Sequence, residues 1–262
     1  MSKQAVLSIK NLKTSFYPNK GQTVIKAVDD VSLDAYPGEI TAIVGQSGSG
    51  KSVTALCVFN IVDTSGRIEA GEVFLNGRDL RKLGDRALRN VHGKEISMIF
   101  QDPTSALNPS IRIKKQLIEA ITAHERISKN MAMKRCEDVL VRVGLKNTKK
   151  ILNSYPFELS GGMCQRVMIA MAIISNPNVL IADEPTTALD LTVQRGILEE
   201  LLALRDKGMA VVLITHDLGV VAQTADQVYV MNNGKIVENG TVYDIFEKPQ
   251  HKYTKELMNA IT

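Results

Sequence analysis

Short stretches rich in apolar residues, each bounded by turn residues, recur near both ends of the chain. Stretches of this length predict β-strands, and those without polar positions are typical of strands buried on both faces. They occur at Val6–Ile9, Val28–Leu33, Ile40–Val44, Gly71–Gly77, Ile96–Phe100, Val179–Ala182 and Ala210–Thr215. Val228–Met231 and Lys235–Glu238 flank Asn233-Gly234, which predicts a hairpin. A largely parallel sheet covered by helices is therefore expected.

The middle of the chain has a different pattern, because apolar positions there recur at helical spacing. These positions are Ile113, Leu117, Ile118 and Ile121, and then Val139, Leu140 and Val143. Residues 104–175 are predicted to form a helical subdomain set into an α/β body of residues 1–103 and 176–262. A turn at Pro18, Asn19 and Gly21 separates the first two strands, which are expected to form a small early sheet. Further helices are predicted at Val53–Ile61, Leu191–Leu204 and, broken near Pro249, within Val242–Ala260.

A glycine-rich segment follows the predicted strand Ile40–Val44 and precedes a predicted helix. It reads GQSGSGKS and fits the P-loop pattern G-x-x-x-x-G-K-[ST] in the strand–loop–helix context that the motif requires. Backbone N–H groups of such a loop surround a phosphate chain, Lys51 reaches the β- and γ-phosphates, and Ser52 offers its hydroxyl to Mg²⁺. The alternative is a Gly/Ser-rich turn that matches by chance. The nucleotide-contacting residues predicted here are Gly45, Gln46, Ser47, Gly48, Ser49, Gly50, Lys51, Ser52 and Val53.

Polar residues end three of the predicted strands. Asp183 and Glu184 end the stretch VLIADE, where Asp183 is predicted to hold the Mg²⁺ shell and Glu184 to act as general base toward water. Acidic residues end many strands, so this pattern alone is weak evidence for a metal site. The P-loop earlier in the chain strengthens the prediction. Gln101 and His216 end strands in the same way. Each alone is typical of a surface or structural residue, but together at strand ends they predict γ-phosphate and metal contacts.

A second glycine pair opens a predicted helix at Leu159–Met163, which reads LSGGM. Ser160, Gly161 and Gly162 predict a second anion cradle without a lysine, although a helix cap is the simpler alternative. Because one chain has no need of two separated cradles, the second is predicted to serve a nucleotide held by another subunit. The aromatic pair Phe16-Tyr17 either stacks on a base or packs against the early sheet, and position alone favours neither.

Composition excludes several classes of function. Lys plus Arg exceeds Asp plus Glu by 4 in 262 residues, and this excess is too small to predict nucleic-acid binding. Cys57, Cys136 and Cys164 lack metal or disulfide spacing, which favours a reducing compartment. The longest apolar run, Val167–Ile174, is far shorter than a membrane span, and the N-terminus lacks a signal-peptide core. A cytoplasmic protein is expected, with any membrane attachment made through a partner.

Taken in order, these motifs resemble the ATP-binding subunit of an ABC transporter. Gly45–Ser52 corresponds to Walker A, Gln101 to the Q-loop, LSGGM to the signature, Asp183-Glu184 to Walker B, Ala188-Leu189-Asp190 to the D-loop and His216 to the switch histidine. QDPTSALNP (Gln101–Pro109), LSGGMxQR and HKYTKEL (His251–Leu257) resemble the peptide/nickel importer branch. Cys164 and Lys252 depart from that branch, but neither departure removes a phosphate contact.

The resemblance implies one ABC ATPase domain over residues 1–262, with an α/β fold: a RecA-like P-loop NTPase core, a mostly parallel sheet, a small N-terminal antiparallel β subdomain and the inserted α-helical subdomain. It implies ATP and Mg²⁺ as cofactors. Catalysis is assigned to Glu184, His216, Lys51 and Gln101, metal contacts to Ser52, Gln101 and Asp183, base stacking to Phe16 or Tyr17, and a further nucleotide contact to Asp190. Ser160, Gly161 and Gly162 would face the ATP held by the P-loop of a second subunit.

The resemblance also implies the partners and the location. Importers of this branch pair two homologous, non-identical ATPase subunits with two membrane-spanning permease subunits and an external substrate-binding protein. The chain is thus expected at the cytoplasmic face of a bacterial membrane, energising uptake of short peptides or of nickel. Some members continue into a cysteine-bearing extension that holds an iron–sulfur cluster, and no such cluster is expected here.

Two other classes share part of this pattern. ATPases that act on nucleic acid or ribosomes also carry LSGG, but those usually contain a long coiled coil, a zinc module or two cassettes. Only about sixty residues separate Gln101 from Leu159, too few for a long antiparallel coiled coil. A GTP-binding switch is disfavoured, since no Asn-Lys-x-Asp guanine-binding motif follows the P-loop.

Overall fold

The computed structural model describes residues 3–18, 23–187 and 189–259. The chain divides into two compact units, a first unit of Met1–Leu88 with Leu204–Thr262 and a second unit of Arg89–Ala203. The second unit is wider than the predicted helical insert, since it includes a strand on either side of the helices. The finer division at residues 104 and 175 stays a prediction.

The elements follow one another in an α/β order. The first unit begins with β1 (Leu7–Phe16), β2 (Ile25–Ala35), β3 (Ile40–Val44), α1 (Lys51–Val58), β4 (Gly66–Leu75), β5 (Arg78–Asp79) and a 3₁₀ helix at Leu80–Lys82. Then come α2 (Asp85–Val91), β6 (Ile96–Ile99), α3 (Pro103–Ala106), α4 (Ile113–Thr122), α5 (Lys129–Arg142), α6 (Thr148–Asn153), a 3₁₀ helix at Pro156–Glu158, α7 (Gly161–Ile173) and β7 (Val179–Asp183). The chain ends with α8 (Leu191–Asp206), β8 (Ala210–Thr215), α9 (Leu218–Thr224), β9 (Gln227–Asn232), β10 (Lys235–Thr241), α10 (Val242–Glu247) and α11 (Lys252–Asn259).

An antiparallel sheet in the first unit has the strand order β2-β1-β4-β5. Its strands are longer than the sequence pattern predicted, because Lys10 and Asn11 interrupt the apolar pattern of β1. The structure has an irregularity in strand pairing there, with Asn11 at φ 47°, and β1 continues beyond it to Phe16. The predicted turn residues Asn19 and Gly21 lie outside the described part of the chain.

The parallel strands of the first unit surround β3. The order is β10-β9-β3-β8, in which β3 pairs in parallel with both β8 and β9. Every residue of β3 and β8 is buried, as expected for strands that carry no charged side chain and lie inside a parallel sheet. The predicted hairpin is present as β9 and β10, joined by Asn233 and Gly234 at φ 47° and 78°.

The second unit combines the parallel pair β6 and β7 with the helices α3 to α7. The apolar spacing predicted α4 and α5 correctly, since Ile113, Leu117, Ile121 and Leu140 are fully buried. The helix α2 was not predicted, because its seven residues are mostly polar. The α/β fold with a mostly parallel sheet and a small antiparallel sheet is confirmed. Within the described ranges, no helix combines the length and apolar character needed to cross a bilayer.

Candidate nucleotide site

The P-loop connects β3 to α1 and has a backbone that only glycine accommodates at two positions. Gly45 has φ 155° and Gly50 has φ 103°. A Cβ atom on Gly45 would lie 2.1 Å from the Met231 carbonyl oxygen, and one on Gly50 would lie 2.2 Å from the Ala27 carbonyl oxygen. The loop is therefore wrapped tightly against its own unit.

The P-loop carries side-chain donors suited to an anion. Lys51 is buried, and its Nζ donates to the carbonyl oxygens of Gly45 at 2.7 Å and Gln46 at 3.0 Å. The Ser49 hydroxyl is buried and has no hydrogen-bond partner among the described residues. A Cβ on Gly48 would meet nothing within 4 Å, so there is open space beside this loop. A phosphate group fits this set, since it would take the bond that the Ser49 hydroxyl lacks.

Helix α1 begins directly at Lys51, so the positive end of its dipole faces the loop. Gly50 occupies the N-cap position, and it provides no side-chain cap. The N–H groups of the first helical turn, which includes Ser52 and Val53, have no intrahelical acceptor. The helix start thus adds backbone donors to those of the loop.

His216 follows β8, the strand next to β3, so the histidine and the P-loop lie at the carboxyl ends of neighbouring parallel strands. The His216 side chain is exposed. Its backbone is held between the buried Thr215, whose hydroxyl accepts from the Asp217 N–H at 3.0 Å, and Asp217, which caps α9. The histidine is thus presented to solvent from a rigid strand end.

The second unit contains the predicted carboxylates. Asp183 ends β7 and Glu184 follows it, and both are buried. Glu184 has φ 48°, and its Oε2 accepts from the Thr187 hydroxyl at 2.9 Å. The exposed Gln101 lies two residues beyond β6, which pairs in parallel with β7. Gln101 and the carboxylates therefore lie at the same edge of this strand pair.

The LSGGM loop forms the start of α7 and remains open. Ser160 is the N-cap, and its hydroxyl accepts from the Met163 N–H at 3.4 Å. Gly161 is exposed and has nothing within 4 Å of a Cβ position, whereas a Cβ on Gly162 would lie 3.2 Å from Val193. The cap alternative is therefore present, and because the helix start is also accessible, the anion cradle stays a prediction.

The segment that the resemblance assigns to the D-loop precedes α8. Asp190 accepts from the Val193 N–H at 2.9 Å through its Oδ1, which stabilises the start of that helix. Asp190 is exposed. Ala188 lies outside the described residues.

The aromatic pair ends β1 with two different surroundings. The edge of the Phe16 ring lies against Gly66, where a Cβ would approach ring atom Cε1 to 2.9 Å. The Tyr17 hydroxyl donates to Glu69 at 2.6 Å, and this hydrogen bond raises the pKa of Tyr17. The Arg67 guanidinium lies 5.5 Å from the centre of the Tyr17 ring. Tyr17 thus has its hydroxyl and one ring face occupied, and the assignment of a base-stacking residue stays a prediction.

Two residues near these loops were not singled out from the sequence. The backbone N–H of Gln46 donates to the Tyr253 hydroxyl of α11 at 3.0 Å. The side chain of Gln165 on α7 donates to the Pro185 carbonyl oxygen at 2.8 Å. Tyr253 belongs to HKYTKEL and Gln165 to LSGGMxQR, two motifs noted in the sequence analysis. A sequence motif does not indicate which distant backbone group its side chains contact, so these two hydrogen bonds were not predicted.

The fold and the P-loop define a nucleotide-binding cassette of the P-loop class. The family described as ABC transporter matches residues 28–187. The dipeptide transport ATP-binding protein DppD of Bacillus subtilis is 47% identical over 98% of this chain and 77% of the relative. The peptidoglycan transport ATP-binding protein YejF of Agrobacterium fabrum is 48% identical over 98% of this chain, which spans 47% of that relative.

A solved structure agrees with these relatives. The dimeric post-hydrolysis state of the ATP-binding cassette MJ0796 bound to ADP and Pi has a TM-score of 0.81 to this chain at 28% identity. The match covers 90% of this chain and 98% of the cassette. The chain therefore belongs to the ABC transporter ATPase family.

Proposed function

We propose that this chain binds and hydrolyses ATP to energise a bacterial importer of short peptides. The observation that carries the proposal is the P-loop, in which the buried Lys51 amine and the unpartnered Ser49 hydroxyl line a loop closed by backbone contacts at Gly45 and Gly50. These groups bind the β- and γ-phosphates and offset their charge.

The carboxylates of the second unit supply the hydrolytic chemistry in this proposal. Glu184 orients the attacking water and accepts its proton, and His216 and Gln101 contact the γ-phosphate. The oxygen donors of Ser52, Asp183 and Gln101 are the kind that Mg²⁺ prefers, and these side chains would hold it. Bound Mg²⁺ would neutralise charge on the phosphate oxygens. Ser160, Gly161 and Gly162 bind the γ-phosphate of a second subunit's ATP.

The relatives support the proposed assembly and cargo. DppD is named for dipeptide transport, and MJ0796 is described as a dimer, which supports a peptide importer built on paired cassettes. The proposed complex contains a second, non-identical ATPase, two permease subunits and an external substrate-binding protein, with this chain peripheral at the cytoplasmic face. Nickel uptake is the alternative cargo. The named relatives favour transport over an ATPase directed at nucleic acid.

The substitution Glu184→Gln tests the enzymatic proposal. Hydrolysis should fall by about 100-fold or more, because general-base catalysis contributes that much. The affinity for a fluorescent ATP analogue should change little, since the P-loop is untouched. Turnover is measured by phosphate release, with Glu199→Gln, an exposed glutamate on α8, as the control. Wild-type turnover in the Glu184→Gln variant would remove Glu184 from the mechanism.

A deletion strain tests the cargo. Cells lacking this chain should lose uptake of labelled dipeptides, and the wild-type chain should restore it. Uptake of ⁶³Ni²⁺ measured in the same cells distinguishes the alternative. If the deletion strain loses nickel uptake but takes up peptides normally, the cargo is nickel and the proposal of a peptide importer is wrong.

A further inference from the structure

Gln165 connects the helix of the LSGGM loop to the loop that carries Glu184. It lies in the second turn of α7, and only 2% of the residue's surface is exposed. Its Nε2 donates to the carbonyl oxygen of Pro185 at 2.8 Å, and Pro185 follows Glu184 directly. A buried amide that bonds to one particular carbonyl group fixes the distance between the two segments.

The loop that receives this hydrogen bond has an uncommon backbone conformation. Glu184 has φ 48°, which residues with a side chain rarely adopt, and residues before proline normally favour extended conformations. Such a conformation persists only where surrounding contacts hold it. Thr187 supplies two, through its N–H to the Glu184 carbonyl at 3.3 Å and through its hydroxyl to the carboxylate. Gln165 supplies a contact from a different element.

We propose that Gln165 is a positioning residue that holds the Glu184 carboxylate in its catalytic orientation. The inference rests on the proposed function of Glu184 as general base. Removal of the amide donor leaves the Pro185 carbonyl without this partner, and the strained turn relaxes toward an extended conformation. The carboxylate then departs from the position that water attack requires, and small displacements of this kind reduce turnover strongly.

The same connection gives α7 two roles. Its first residues present the LSGGM cradle to the nucleotide of a second subunit, and Gln165 holds the base that acts on this subunit's own ATP.

The substitution Gln165→Leu removes the donor while it keeps most of the side-chain volume. The matched control is Gln116→Leu in α4 of the same unit. Gln116 is also buried, and its Nε2 also donates to backbone carbonyl groups, those of Asn108 at 3.0 Å and Ile111 at 2.7 Å. Both variants lose a buried amide, but only Gln165→Leu changes a bond to the Glu184 loop.

The expected result is a separation of kcat from KM in the full-length chain. Gln165→Leu should lower kcat by roughly 10- to 100-fold with little change in the KM for ATP. Gln116→Leu should lower thermal stability with kcat nearly unchanged. In the Glu184→Gln background, Gln165→Leu should cause little further loss, because the group that it positions is already absent. ATP-analogue binding should be retained in every variant.

Three results would overturn the inference. One is a kcat loss in Gln165→Leu no larger than in Gln116→Leu, and another is a full additional loss in the Glu184→Gln background. The third is a parallel loss of ATP binding. If Gln165→Leu does not fold, Gln165→Asn, which shortens the amide, takes its place in the same measurements. Failure of the proposed function itself would appear as absent turnover in the wild-type chain.

Discussion

The two glycine loops of this chain differ in how completely each is built. The P-loop is closed on its outer side, with Gly45 and Gly50 against carbonyl groups of the same unit, and it carries its own buried cation in Lys51. The LSGGM loop has an exposed Gly161 with nothing near its Cβ position and no lysine of its own. Similar composition therefore produces one closed loop with its own buried cation and one open helix start.

The difference shows that glycine serves two purposes here. In the P-loop it permits backbone conformations with positive φ and close approach to neighbouring strands. At Gly161 the backbone needs neither, so the missing side chain only keeps the helix start accessible. An open helix start of this kind is compatible with the proposed contact with a second subunit's nucleotide.

The largest effect is expected from Gly45→Ala compared with Gly161→Ala. The Cβ added at Gly45 overlaps the Met231 carbonyl oxygen, so the free energy of unfolding should fall by about 3 kcal/mol or more. The same methyl group at Gly161 should change it by less than about 0.5 kcal/mol. Urea unfolding of both variants measures the difference. Equal losses would show that the two loops do not differ as described.

The second largest effect, a loss of ATP hydrolysis, is expected from Ser160→Arg. The long arginine side chain would fill the open helix start of the LSGGM loop. ATP-analogue binding should be retained, because the P-loop is unchanged, and ATP hydrolysis should be lost. A mixture with the P-loop variant Lys51→Ala should recover activity, since one intact composite site forms in each mixed dimer.

Random pairing places such dimers at half of the total, so roughly a quarter of wild-type turnover is expected. If the wild-type chain does not dimerise alone, each variant is paired with the non-identical partner ATPase. Each single change should then disable one of the two composite sites, and the double variant Lys51→Ala/Ser160→Arg should disable both. No recovery in the first mixture, or a double variant no worse than either single variant, would show that each subunit uses its own cradle.

Ser49→Ala should change stability and binding in opposite directions. Removal of a buried hydroxyl without a partner should stabilise the free chain by up to about 1 kcal/mol. The affinity for ATP should fall by about tenfold, because a hydrogen bond to a charged phosphate is lost. Ser47→Ala at the exposed neighbour controls for stability. Unchanged nucleotide affinity in Ser49→Ala would show that the Ser49 hydroxyl does not bind the phosphate.

The sequence predicted the parts of the fold and site that depend on local pattern. The P-loop, the strand ends that carry Gln101 and Glu184, and the cap Ser160 each follow from residue type and spacing within one short segment. The bonds made by Gln165 and Tyr253 join segments far apart in the chain, so no local pattern contains them. The continuation of β1 past Lys10 was missed for the related reason that pairing with neighbouring strands overrides a polar interruption.

The P-loop is also supported from the C-terminal segment. Glu238 of β10 accepts from the backbone N–H groups of Gln250 at 2.7 Å and His251 at 2.9 Å, just before α11. Burial opposes ionisation of this carboxyl, but hydrogen bonds from the C-terminal segment prevail and lower the pKa of Glu238. α11 then places the Tyr253 hydroxyl on the Gln46 N–H.

Tyr253→Phe removes this acceptor and tests the smallest expected effect. ATP affinity should fall by roughly twofold to fivefold, the size of one partly exposed hydrogen bond. Tyr243→Phe, at an exposed tyrosine of α10, should have no effect. The pKa of Glu238 is lower in the folded chain than in the unfolded chain. The hydrogen bonds from Gln250 and His251 to the Glu238 carboxylate are therefore intact above the ordinary glutamate pKa, and they weaken only as the pH falls through the lowered pKa of the folded chain. The ratio of wild-type to Tyr253→Phe affinity should therefore be equal at pH 8 and pH 6. A ratio of one at both values would show that the P-loop holds its shape without α11.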